Sequence, residues 1–472
     1  MGNSHLFALL GTAALLAGCS LEPRYQVPLT VPPPAAYREM GEWKPAQPGD
    51  AQPRGAWWEA FGDSELNDLQ SRVTSSNQGL KAALARLEQA RAQLRVARAD
   101  LAPTVTASAS GSRARSSLNS PTFSSAKPPT QTDLVLESDL SYEIDVFGRI
   151  RSSISAARAG AQASAADVAA LDLSLHAQLA STYFTLRSLD AQQLLLDRTV
   201  VDYTRALQLT QNLYDGGAVP RADVAQAQVQ LETARTQAED IRLRRAQTEH
   251  SIAVLISEPA TTFSIAPRPL APEVQPPPLE VGLPSTLLER RPDVAAAERR
   301  VAAANADIGV ARAAFFPVFS FSALAGFQST SGSSWITAPA RLWAVGPEAL
   351  LTLFDGGRRR AQTDAARAAY DEQAANYRSS VITAYQEVED ALAALRQLKR
   401  ESSSQAAAVE ASRVQLQQAN FRYQAGAATY LEVVIAENAS LAAELSAADI
   451  QLRRMSASVL LVQALGGGWH ET

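Results

Sequence analysis

Two stretches of this chain keep a helical pattern of apolar and polar positions far longer than a globular helix does. From Gly148 to Tyr214 there is no proline and one internal glycine, Gly160. The run breaks at Asp215-Gly216-Gly217-Ala218-Val219-Pro220 and restarts at Arg221. Gly357 to Tyr423 repeats the plan, breaking around Gly426. A helix of roughly 65 residues at about 1.5 Å per residue is on the order of 100 Å long, outside the usual globular range. Asp167, Asp172, Arg187, Asp190 and Asp197 make the first run too polar for lipid. The pattern therefore predicts two long helical hairpins in water, over 148–257 and 357–465.

The two hairpins are copies. At an offset of 209, Tyr214 meets Tyr423, Gly217 meets Gly426, Asp223 meets Glu432, and Arg244-Arg245 meet Arg453-Arg454. Val96-Ala97-Arg98-Ala99 before Pro103 likewise matches Val310-Ala311-Arg312-Ala313 before Pro317. Self-similarity at this scale is an internal duplication. It divides the chain into a first repeat over 56–258, a proline-rich linker over 259–284 and a second repeat over 285–472. The linker's prolines predict an extended, semi-rigid strap.

Each copy also contains a stretch of period two. Helical spacing from about Asp63 to Leu101 (Leu80, Leu84, Leu87, Leu94) gives way at Pro103 to alternation in Thr104–Ser110. In Leu134–Ile144, Leu134, Leu136, Leu140, Tyr142 and Ile144 share one face, and Glu137, Asp139, Ser141 and Glu143 the other. Val318–Phe327 and Trp343–Phe354 repeat the arrangement, so strand pairs are predicted over 104–144 and 318–354. About ten residues of such alternation is the pattern of a membrane barrel strand. A soluble hairpin with one wet face would show the same pattern. Four strands do not close a barrel, and an open edge in lipid leaves backbone groups unpaired, so strands that span a membrane require several copies of the chain.

The N-terminus changes the picture. Leu6 to Ala17 is apolar but too short to span a bilayer, and Leu16-Ala17-Gly18-Cys19 follows. Residues 1–18 read as a secretory signal. Cys19 resembles the lipidated cysteine of a bacterial lipobox, although no Lys or Arg precedes Leu6. It is the only cysteine, so no disulfide forms within the chain. Residues 19–55 then form a proline-rich tether, and Trp57-Trp58 with Phe61 are expected to dock its end on the helices. Charged residues make up 19% and apolar ones 46%, which excludes a disordered chain and a helical polytopic membrane protein. Scattered basic residues and a net charge of −5 argue against nucleic acid.

Leu283-Pro284-Ser285, Leu288-Glu289-Arg290-Arg291-Pro292-Asp293, Glu298 and Ile308–Pro317 form one distinctive block. With Asp145-Val146-Phe147-Gly148-Arg149, Phe354-Asp355-Gly356-Gly357-Arg358, Trp57-Trp58 and Leu465-Gly466-Gly467-Gly468-Trp469, it resembles the TolC-like outer-membrane efflux channels, in their NodT-type, OprM-like lipoprotein branch. The resemblance implies a mainly α fold with a membrane β-barrel part. It implies a homotrimer with a twelve-stranded barrel in the outer membrane and a helical barrel in the periplasm, lipid on Cys19 and no other cofactor. The implied partners are a periplasmic adaptor and an inner-membrane RND-type pump, and the implied action is conduction of small molecules such as drugs.

Under that resemblance Tyr214, Gly217, Tyr423 and Gly426 are expected at adaptor-docking tips. Leu431, Glu432 and Asp223 are gate candidates, and a second acidic position of the family is Ile435 here. Glu137, Asp139 and Glu143 are expected to line the lumen and favour cations. An outlet for type I protein secretion and a non-conducting structural lipoprotein are the competing functions. Catalysis finds no pattern: His5, His176, His250 and His470 lack metal-ligand spacing, and no phosphate loop or nucleophile elbow occurs.

Overall fold

The structure, a computed structural model, describes residues 21–28, 55–119, 130–271, 274–277 and 290–467. Cys19, most of the tether and the stretch 283–289 lie outside them. A short 3-10 turn, Trp57–Phe61, precedes α1 (Ser64–Ser76) and α2 (Gln78–Ala99). Strands β1 (Thr104–Arg115) and β2 (Thr130–Ile144) follow, then α3 (Arg149–Asp215) and α4 (Arg221–Leu255). The second copy has α5 (Pro292–Ala313), β3 (Val318–Ser329), β4 (Arg341–Leu350), α6 (Arg358–Gln424) and α7 (Tyr430–Ala464).

The duplication is visible in element lengths. α3 and α6 each have 67 residues, α4 and α7 each 35, α2 and α5 each 22, and β1 and β3 each 12. The repeats are nevertheless not the packing units. One compact unit gathers the segment up to Pro28 with Arg86–Ser164 and Ala296–Tyr377; the other gathers Leu29–Ala85, Ala165–Ala295 and Arg378–Thr472. Each unit takes matching pieces from both copies, because an isolated hairpin or strand pair has too little apolar surface to bury alone. The first unit holds the sheet, an open antiparallel one in the order β1-β2-β3-β4.

The core of the second unit joins Trp57, Leu66, Leu69 and Val73 to Leu179, Tyr183 and Leu186 of α3, Ile252 and Ile256 at the end of α4, and Met455 and Val459 of α7. Trp57 is buried and Trp58 stacks on the His176 ring at 4.2 Å. The aromatic pair therefore does dock the start of the folded chain on α3.

Two sequence expectations need correction. The helical stretch from Asp63 to Leu101 is two helices, because Asn77 leaves helical geometry (ψ 122°). Its Oδ1 accepts the Leu80 amide at 2.9 Å, capping α2, and its Nδ2 donates to the Leu255 carbonyl at 2.7 Å. A cap of this kind contributes about 1 kcal/mol. The last strand stops at Leu350 rather than Phe354: Leu350 pairs with Val318, where β3 begins, so the ladder has no partner beyond it. Pro220 is the N-cap residue of α4, so the helix restarts at Arg221 as the sequence break places it.

The linker lies against helices of its own unit over the described 259–271. The Leu270 amide donates to the Arg187 carbonyl at 2.9 Å, and the Arg268 amide to Asp190 Oδ2 at 2.9 Å. Arg245 donates from Nε to Asp190 Oδ1 at 2.6 Å and from Nη2 to the Ile265 carbonyl at 2.8 Å. Side-chain charge, more than proline stiffness, holds this strap.

The most distinctive sequence block proves to be a staple. Arg291 is buried and forks onto Asp293 at 3.0 and 2.7 Å while donating to the Ala464 carbonyl at 3.2 Å. A side chain at Gly466 would meet the Arg290 carbonyl carbon at 2.8 Å. Two blocks that are far apart in sequence thus close the start of the second repeat onto its end.

Candidate functional site

Strand register converts the alternation into two faces. Opposed residues share a face, so Val105, Leu140, Ala323 and Val345 form one apolar row. Ala107, Ser138, Ala325 and Trp343 form the next. Trp343 is 76% exposed and Val105 66%, so this face has no protein cover among the described residues. The other face carries Asp133, Glu137, Asp139 and Glu143. Ser320 pairs with both Glu143 and Glu348, so Glu348 joins that face as well. Sequence reasoning missed Glu348, because only the register shows which side of β4 is polar.

The three predicted lining carboxylates are not equivalent. Glu143 takes a bidentate pair of bonds from Arg149, both 2.8 Å, which neutralises it locally. Among the described residues Glu137 accepts a single long bond, from Ser108 Oγ at 3.4 Å. β2 and β3 lie close where Glu137 faces Gly326: a Cβ there would lie 2.7 Å from Glu137 Cα.

The hairpin turns match atom for atom. Ala218 N donates to the Leu213 carbonyl and Ala427 N to the Arg422 carbonyl, both at 2.8 Å. Gly217 (φ 75°) and Gly426 (φ 70°) occupy the left-handed position that ends each helix. Asp223 N bonds to the Pro220 carbonyl at 3.0 Å, and Glu432 N to the Thr429 carbonyl at 3.1 Å. The two acidic mates thus sit in the first turns of α4 and α7, where a carboxylate also suits the helix dipole.

The tyrosines differ. Tyr214 is 39% exposed, whereas Tyr423 packs on Tyr430 at 5.5 Å between ring centroids. The repeat mate of Tyr430 is Arg221, so the first turn lacks this partner. Glu432 pairs with Arg422 at 3.0 Å, and Arg422 also donates to the Ala427 carbonyl at 3.2 Å. Leu431 is exposed, and so is Ile435 one turn further along the same face. Leu431 and Ile435 thus form an exposed apolar stripe beside the second turn. No cluster of metal-ligating side chains and no helix long and apolar enough to cross a membrane occurs among the described residues.

The described residues thus hold an open sheet with one bare apolar face and two long helical hairpins with matching turns, a combination of membrane-type strands and water-facing helices. The sequence profile of the family described as outer membrane efflux protein matches residues 69–258 and 283–467, one match per repeat. The chain belongs to that family. The toluene efflux pump outer membrane protein TtgC of Pseudomonas putida is 32% identical over 467 residues, 99% of this chain and 96% of the relative. Outer membrane protein OprJ of Pseudomonas aeruginosa is 34% identical over 470 residues, 97% of this chain and 95% of the relative. The solved outer-membrane channel OprN superposes with a TM-score of 0.86 at 31% identity, covering 96% of this chain and all of that one. This chain is accordingly an outer-membrane efflux component, an exit channel.

Proposed function

We propose that three copies of this chain form the outer-membrane duct through which small molecules leave the cell, joined to a periplasmic adaptor and an RND-type inner-membrane pump. The observation that carries this reading is the open four-stranded sheet. Each unpaired backbone group in hydrocarbon costs several kcal/mol, so β1 and β4 must pair with other copies. Three copies supply twelve strands. The bare face around Trp343 then meets lipid and the carboxylate face meets the lumen.

The N-terminal segment supports anchoring by lipid on Cys19. Pro23 accepts a bond from Asn305 Nδ2 at 2.8 Å, and the Tyr25 hydroxyl donates to Glu298 Oε1 at 2.6 Å. Gly309 leaves room for the Glu22 backbone, whose Cα would lie 2.9 Å from an added Cβ. The segment therefore runs antiparallel to α5, and its upstream end points toward the start of β3. Cys19 is two residues beyond Leu21, at most about 7 Å of chain. The names of the relatives, which refer to toluene and to antibiotic efflux, favour small organic cargo. Tyr214, Gly217, Tyr423 and Gly426 are the proposed docking turns; Leu431 and Glu432 form the proposed constriction, with Asp223 on the same rim.

Reconstitution in planar bilayers tests the duct. Discrete conductance with potassium favoured over chloride is expected. Combining Glu137→Gln with Asp139→Asn should reduce that preference, whereas Glu143→Gln, whose partner is Arg149, should change it least. No conductance would overturn the channel reading; equal permeability of both ions in the native protein would overturn the lining. Cross-linking in cells followed by affinity capture tests the partners. An adaptor with a proton-driven pump is expected, and an ATP-driven exporter would shift the function to protein secretion.

A further inference from the structure

The charged residues of the four strands are sorted completely between the two faces of the sheet. Asp133, Glu137, Asp139, Glu143 and Glu348 all lie on the carboxylate face. The basic strand residues, Arg113 and Arg115 of β1 and Arg341 of β4, all lie on the bare apolar face. An unbroken ladder makes this assignment. Arg113 and Arg115 are an even number of residues from Val105, and side chains alternate along a strand. Arg341 opposes Phe327, which opposes Leu136.

The three arginines also share one end of the sheet. β2 and β4 lead into α3 and α6 after Ile144 and Leu350, so Arg113, Arg115 and Arg341 lie at the end away from the helices. Arginines at the helical end are paired within the chain. Arg149 meets Glu143 at 2.8 Å, Arg151 meets Asp145 at 3.1 Å and Arg359 meets Asp355 at 2.6 Å. Among the described residues the three at the far end have no ion pair, and no strand places a carboxylate on their face.

Their depth is equally specific. From Ile144 to Leu134, at about 3.4 Å per residue and a tilt of about 40°, this face covers about 25 Å, the height of a barrel's lipid-facing band. Arg341 sits at the outer edge of that stretch, level with Leu136 and two residues from Trp343; Arg113 and Arg115 lie beyond it. Arginine on a lipid face is costly at mid-depth and nearly neutral at the interface. There its stem lies along apolar surface while its head reaches the polar layer.

On the reading that this face meets lipid, we propose that Arg113, Arg115 and Arg341 bind the phosphate groups of a phosphorylated glycolipid in the outer leaflet. A guanidinium fork grips phosphate through two parallel N–H···O bonds. Thr132 opposes Arg113 and Thr130 opposes Arg115, so hydroxyl donors stand beside both. β1 and β4 are the edges of the sheet. Pairing between copies uses their backbone groups, brings both sets of arginines to one rim and leaves the side chains free for lipid. The carboxylates face the other way and do not compete.

Trp343 fluorescence separates the site from the reading beneath it. The full-length protein is placed in phosphatidylcholine brominated on its acyl chains, and the Trp343 signal is the difference between native protein and Trp343→Phe. Quenching of that signal is expected. Unbrominated lipid A should then relieve it at a far lower mole fraction than unbrominated phosphatidylcholine does. Arg341→Gln should weaken this preference about fivefold, and adding Arg113→Gln and Arg115→Gln about fivefold more for each. Lipid A stripped of its phosphates should show no preference on native protein, a result that does not depend on any variant. Trp343 quenched, with undiminished preference in the triple variant, for the stripped lipid or for phosphatidylglycerol, would overturn the site and leave the face in lipid. An unquenched Trp343 would overturn the lipid-facing reading and the site with it.

Discussion

Asp190→Ala is expected to destabilise the helical unit by about 3–5 kcal/mol, the range for breaking a buried ion pair from one side. The Asp190 side chain is 1% exposed, and three donors converge on it: Arg187 Nη1 at 3.0 Å, Arg245 Nε at 2.6 Å and the Arg268 amide at 2.9 Å. Arg187 is itself 2% exposed, bonds to Glu65 and lies over the Tyr183 ring at 4.8 Å. Removing the carboxylate leaves two guanidinium groups facing each other with little water. It also frees the strap amide that Asp190 holds. The denaturant midpoint should fall, and the Arg268 amide that Asp190 Oδ2 holds should exchange its hydrogen faster. Asp197→Ala is the control: its pair with Arg242 at 3.0 Å has both side chains about half exposed, so the change should be below about 1 kcal/mol. Equal effects from the two substitutions would show that the strap is not held by this network.

The contrast between these aspartates was not legible in the sequence, where both punctuate one helical run. The long hairpins were legible, because their signals are local. Absence of proline fixes continuity, and Gly217 and Gly426 supply the left-handed residue at each turn. Strand alternation was legible for the same reason. What escaped depends on partners distant in the chain. Asn77 breaks a helix because the Leu255 carbonyl is there to receive its amide. Glu348 joins the carboxylate face only through the β3–β4 register. The tip tyrosines share a motif yet differ, since Tyr430 packs on one and Arg221 occupies the matching place in the other copy. A repeat in sequence fixes backbone geometry well and side-chain environment poorly, because the copies pack against different neighbours.

The backbone can be as unforgiving as a buried charge, and Gly326→Val is expected to abolish assembly of the sheet. Gly326 sits in mid-strand opposite Glu137, with β2 so near that an added Cβ would lie 2.7 Å from Glu137 Cα and closer still to the Leu136 carbonyl oxygen. These are main-chain atoms, so no rotamer change relieves the overlap. The strands must separate, and the ladder from Leu134–Ser329 to Ile144–Phe319 is interrupted near its middle. In water such a gap would fill with solvent. In hydrocarbon each freed amide or carbonyl costs several kcal/mol, a penalty that recurs in every copy that joins the barrel. The expected result is loss of the proposed oligomer on native gels and loss of the protein from the outer-membrane fraction. Gly346→Ala, in neighbouring β4 where an added Cβ meets nothing within 4 Å, should assemble normally. Normal assembly of Gly326→Val would mean that β2 and β3 do not pair through this register in the membrane.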